Sequence, residues 1–158
     1  MNVGVTSAIL ASVVSSTVAI AILLKRPRLR IYSHFAAFTL AIFAYHTGSL
    51  ISQIADGAIS GVPNVALALM APLSILFFRE LVRDHRRTTR QYLRISVVIS
   101  GFFSALIFSP LGNHTMVRLA LGAFVLLCGA AVIQMLYRHS LAAPSDTERV
   151  RIRYLLFG

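Results

Sequence analysis

The sequence has no tryptophan, one cysteine and only five acidic residues in 158. The lone cysteine excludes a disulfide framework within the chain. Five Asp and Glu leave little material for paired catalytic carboxylates. Charged residues of either sign make up 13%, against about 25% in an ordinary soluble domain. What is abundant is apolar: 57% of residues are hydrophobic and the mean hydropathy is +0.77. A soluble globule of this size still exposes about a third of its unfolded surface, too much to hide such a composition. Fifteen Lys and Arg leave a net charge of +10. That excess points first to nucleic acid, but the placement of the charges points elsewhere.

Five stretches carry no Asp, Glu, Lys or Arg: 1–24, 31–55, 57–78, 95–117 and 119–137, of 24, 25, 22, 23 and 19 residues. Crossing a hydrocarbon core of about 30 Å takes about 20 helical residues. The pattern predicts an all-α membrane protein, a bundle of five transmembrane helices at 4–24, 33–54, 62–79, 93–111 and 116–137. Residues 1–158 then form one integral-membrane unit. Lipid offers no partner to an unpaired backbone N–H or C=O, so only helices or a closed barrel qualify. A barrel needs apolar residues alternating with period two, and 19–24 and 102–108 do not alternate.

The basic residues fall in alternate loops. Lys25, Arg26, Arg28 and Arg30 follow the first span. Arg79, Arg83, Arg86, Arg87, Arg90 and Arg94 follow the third. Arg138, Arg149, Arg151 and Arg153 follow the fifth. These are 14 of the 15, and Arg118 is the exception. The positive-inside rule then sets the N-terminus outside and the basic loops in the cytoplasm of a multi-pass protein. Lys25, Arg26, Arg28, Arg30, Arg86, Arg87, Arg90 and Arg94 are the expected contacts to anionic lipids, at about 1 kcal/mol each near the surface. Nucleic acid is not an expected partner. The first span lacks the positive residues that precede a signal peptide's apolar core, so it reads as a retained helix.

Small residues mark the packing faces. The first span has two stripes at spacing four, Ala8/Ser12/Ser16 and Ala11/Ser15/Ala19. The fifth has Gly122, Cys128, Gly129, Ala130 and Ala131. Such faces let helix backbones approach closely. They suit packing inside the bundle, or against a second copy of the chain or another membrane subunit. Pro72 is expected to kink the third span by removing a backbone bond. The loop after that span is expected to be the longer one, with both flanking helices extended.

Ionisable residues at membrane depth are functional candidates. His46, Gln53, Asp56, Asn64, His114 and Arg118 fall toward the outer ends of their spans and suggest an outward-facing polar pocket, with Arg118 against Asp56 or at the headgroups. For His46 alone, a hydrogen bond to a neighbouring helix is the simpler role. His34 lies at the inner edge. A haem would need two imidazoles facing each other at one depth, and zinc three or four converging ligands. Neither spacing is present, so no cofactor and no metal are expected. No Ser/His/Asp set or P-loop appears, which predicts a chain that is not itself an enzyme. Glu80, Asp84, Asp146 and Glu148 read as ion-pair or capping residues.

The end of the chain has its own pattern. Ser145 and Glu148 form a capping box with Asp146 in the first turn. Arg149, Arg151 and Arg153 then precede an apolar run, as at Arg30-Ile31 and Arg94-Ile95. This predicts a helix start over 145–158, either a sixth span cut short or an amphipathic helix on the inner surface. A short outer N-terminus, the Lys25-Arg26-Pro27-Arg28 turn and a second helix rich in Ala, Leu and Phe resemble the N-terminal membrane region of bacterial seven-transmembrane sensor histidine kinases. The stretch from Glu148 to Gly158 is similar to the loop that enters that family's sixth helix. The resemblance implies a membrane sensor or anchor region of a two-component signal-transduction protein, coupled to a cytoplasmic GAF, kinase or cyclase module beyond Gly158. The alternative is a small structural subunit of a larger membrane complex. A transporter half would need inverted repeats, and none is evident.

Overall fold

The computed structural model describes residues 3–24, 30–54, 61–84, 86–142 and 150. Five α-helices hold nearly all of them: α1 Val3–Leu24, α2 Arg30–Ile54, α3 Gly61–Leu81, α4 Arg87–Ile107 and α5 Thr115–Ala142. A 3-10 turn, Pro110–Asn113, joins α4 to α5. No strand occurs among the described residues. The capping box and the helix start expected at 145–158 lie outside them, Val150 apart.

The helices extend past the apolar stretches that announce them. α4 begins six residues before the expected 93, because Thr, Arg, Gln, Tyr and Leu are tolerated in a helix whether or not they are apolar. It stops at Ile107 rather than 111 because Pro110 disfavours helix at Ser109. Ser109 Oγ then accepts the Leu111 N–H at 3.3 Å. A Cβ on Gly112 would strike the Ile107 backbone, so only glycine fits that turn. α5 continues beyond 137 through Arg138 and His139. Both helices flanking the third loop are extended as expected, but the loop itself is only 82–86. α2, α3 and α5 are each long and apolar enough to cross a membrane. α1 offers an apolar stretch of Thr6–Ile22, and the uncharged part of α4 is 95–107.

α1 packs on α2, α2 on α3, and α3 against both α4 and α5, whereas α4 and α5 barely touch. α3 is therefore the centre. Its Ala66, Ala68 and Ala71 are buried, which lets three neighbours approach it closely. Ile75, Phe103, Leu121, Phe124, Val132 and Leu136 fill the space between α3, α4 and α5. Ala8, Ser12 and Ala19 of the small-residue stripes are buried on α1, and Thr47 of α2 donates to Ser12 Oγ at 3.2 Å. At Gly48 an added Cβ would sit 3.2 Å from Pro63 Cδ, so glycine permits the close start of α3.

Pro72 has no N–H, so the Ala68 carbonyl four residues earlier loses its helical partner. Ser100 of α4 replaces it, donating its hydroxyl to Ala68 O at 2.8 Å. Both residues are almost wholly buried, where an unmet carbonyl is costly. α3 remains one helix across the proline. Ser100→Ala is expected to cost about 0.5–2 kcal/mol. In a Pro72→Ala background, where the backbone bond is restored, it costs much less. A double-mutant unfolding cycle in micelles measures this coupling, and equal costs in both backgrounds would refute it.

Candidate functional site

The best-organised polar site lies where α3 turns into α4. α3 ends with the Asp84 N–H on Arg79 O at 2.9 Å and the Arg83 N–H on Glu80 O at 3.2 Å. This is a Schellman closure, which needs a left-handed residue just past the helix. Arg83 fills that place with φ 51°, a position usually held by glycine. The Arg79 Nε–H donates to the Asp84 carbonyl at 3.1 Å, capping the turn from inside.

The Asp84 side chain then binds the next helix. Its Oδ1 accepts the Arg86 N–H at 3.0 Å, and its Oδ2 accepts the Thr89 hydroxyl at 2.8 Å. His139 Nε2 of α5 stands 3.5 Å from the same Oδ2 and makes no hydrogen bond among the described residues. Asp84 is 4% exposed. Burial alone would push its carboxyl up. The bonds from Arg86 and Thr89, with His139 alongside, outweigh this and hold it below the ordinary carboxylate value. One carboxylate thus links the α3–α4 turn, the first turn of α4 and the end of α5.

Beside Asp84 a narrow cleft opens between α4 and α5, floored by Ile75 of α3. Arg86, Thr88 and Tyr92 line one wall and Ala131, Gln134 and Arg138 the other. It holds about 20 Å³ of space, room for one or two waters. Phe35 of α2 packs on Phe77 of α3 with ring centres 4.9 Å apart, which sets Arg30 at this same end of the bundle. Arg30, Arg86, Arg87, Arg90 and Arg94 are all exposed. Lys25, Arg26 and Arg28 lie outside the described residues.

Of the six residues expected to form a polar pocket, the five that are described belong to the other half of the bundle. His46 is half-buried on α2, edge-on to Tyr45 at 5.2 Å. Gln53 is exposed near the end of α2, and Asn64 is half-buried in the first turn of α3. His114 is exposed just before α5, where its carbonyl accepts the Arg118 N–H at 3.3 Å. Arg118 is exposed, and both it and Asn64 have interaction partners. Asp56 lies outside the described residues. The cleft includes none of the five described ones. Besides His139 Nε2, His34 Nδ1 and Ser104 Oγ are buried without a hydrogen bond among the described residues. No group of three or more His, Cys, Asp or Glu able to hold a metal occurs among them.

From the sequence alone, Asp84 reads only as an ion-pair or capping residue. Asp five residues before Thr, just ahead of a helix, was a usable signal for the local half of the cluster. Compared with family models, curated proteins and solved structures, the chain matches none.

Asp84→Asn is expected to lower stability by about 1–2 kcal/mol at neutral pH. Because the folded carboxyl titrates below its unfolded value, its contribution is present above about pH 4 and fades as pH falls further. Thermal melts of both proteins across that range check this: the gap between them narrows on acidification.

Proposed function

We propose that the chain is an integral-membrane helical bundle that serves as the sensor or anchor region of a bacterial signal-transduction protein, and that it is not catalytic by itself. One observation carries the membrane part. Among the described residues, Arg30, the α3–α4 turn and Arg138 gather basic residues at one end of the bundle, and Arg118 stands toward the other. Between the ends lie helices with exposed apolar faces, such as Val98, Phe102, Leu126 and Ile133. Such a charge distribution orients a multi-pass protein with its basic end in the cytoplasm. Five crossings, an outer N-terminus and the inner membrane follow as parts of the same reading. The signalling part rests on the resemblance carried by the first two helices and by 148–158. A ligand or bilayer state acts in this scheme by favouring one helix arrangement over another.

A second reading, a structural subunit of a larger complex, is favoured by Gly101, Gly122 and Gly129. A side chain at any of the three would meet nothing within 4 Å, so another helix can approach there.

Topology is tested with single cysteines in a Cys128→Ser background. A membrane-impermeant maleimide is expected to label Asp56→Cys in intact cells, and Thr88→Cys only after lysis. The reverse pattern overturns the orientation, and release of the protein by alkaline carbonate overturns membrane insertion. Sequencing the reading frame past Gly158 tests the signalling part. An in-frame kinase or cyclase module supports it, and a stop codon directly there overturns it.

A further inference from the structure

α4 and α5 both lean on α3 yet barely touch each other, so a seam runs between them. At the Asp84 end it opens into the cleft, with Arg86 on one rim and Arg138 on the other, both exposed. Farther along, helical spacing of three and four carries the α4 wall from Thr88 and Tyr92 to Ile95, and the α5 wall from Arg138 and Gln134 through Ala131 to Leu127. Ile95 is 55% exposed and Leu127 71%. The seam is thus cationic at one end and apolar along its length.

The one acid in the cleft sets a single negative charge against the two guanidinium groups of the rim. Both oxygens of Asp84 are occupied, Oδ1 by the Arg86 N–H and Oδ2 by the Thr89 hydroxyl, and the residue is buried. The cleft therefore presents guanidinium groups outward, with the Thr88 and Tyr92 side chains as further polar groups. Its interior has room only for a water or two, so a bound headgroup sits at the mouth and not within.

We propose that the α4–α5 seam binds one anionic glycerophospholipid, its phosphate held at the mouth between Arg86 and Arg138 and an acyl chain lying along Tyr92, Ile95 and Leu127. Basic pockets between membrane helices at the cytoplasmic face suit such headgroups, and arginine suits phosphate better than lysine does. This goes beyond diffuse attraction by basic loops, because it assigns one lipid to one place. It rests on membrane insertion as proposed above, and not on the signalling role.

The test is retention of phosphatidylglycerol by the full chain, counted by mass spectrometry of the intact complex after transfer from vesicles of phosphatidylglycerol and phosphatidylcholine. Wild type is expected to keep one phosphatidylglycerol. The double variant Arg86→Gln/Arg138→Gln is expected to lose it by about tenfold or more. Ala131→Phe, which fills the seam without changing charge, is expected to do the same. Arg83→Gln removes an exposed charge at the same end but outside the cleft, and is expected to change retention by less than about twofold. Unchanged retention in the double variant overturns the proposal, as does an equal loss in Arg83→Gln. If inorganic phosphate binds wild type with the same dependence on Arg86 and Arg138, the ligand is a soluble phosphate compound and the lipid assignment fails. Carbonate extraction reads membrane insertion separately, so a soluble chain is distinguished from an inserted one with an empty seam.

Discussion

The hydroxyl of Ser100 on the carbonyl of Ala68 is the bond around which the bundle is arranged. A proline in the middle of α3 leaves the buried Ala68 carbonyl without its helical donor. The helix that supplies the missing donor must lie close, in fixed rotation and at fixed depth. α4 meets all three conditions at once, and its Ser96 and Phe103 are buried on the same side. Phe103 then meets Phe124 of α5, with ring centres 5.7 Å apart. The position of α5 against α3 is set in part through that pair.

The Asp84 cluster does for the end of the bundle what Ser100 does for its middle. It ties α3, α4 and α5 through a single carboxylate, in a loop too short to leave slack. The two anchors differ in their environment. Ser100 satisfies a neutral carbonyl between apolar side chains, and its worth is insensitive to salt or acid. Asp84 is charged and sits at a polar edge among arginines, so its worth depends on pH. Between these two anchors α4 is held against α3, while toward α5 it makes few backbone-close contacts and meets it through the Phe103–Phe124 pair.

Helix number and order were legible in the sequence because charges interrupt the apolar stretches. Helix ends were less so, since a helix continues through Arg87, Arg90 and Arg138 without needing apolar residues. The burial of Ala8, Ser12 and Ala19 follows from their small size and spacing. Ser100 was not legible, because it is one of several serines on α4 and nothing local distinguishes the one that faces Ala68. Pro72 announced an open carbonyl without naming its donor. At Asp84 the contacts to Arg86 and Thr89 are local and readable, but His139 is 55 positions away and arrives only through tertiary packing. The grouping of His46, Gln53, Asp56, Asn64, His114 and Arg118 rests on depth, which sets how far along a helix a residue lies.

α1 meets α2, α2 meets α3 and α3 meets α4, each pair adjacent in the chain, and α5 returns to α3. Each helix finds its partner as soon as it is synthesised, with little loop entropy to overcome. Within the α3–α4 pair, the Ala68 carbonyl waits for a donor that lies 32 residues downstream. At about 5–20 residues per second, α3 exists for roughly two to six seconds before Ser100 is made. During biogenesis, then, the central helix is also the last of the early ones to be completed, and it must be kept hydrated or sheltered until α4 arrives.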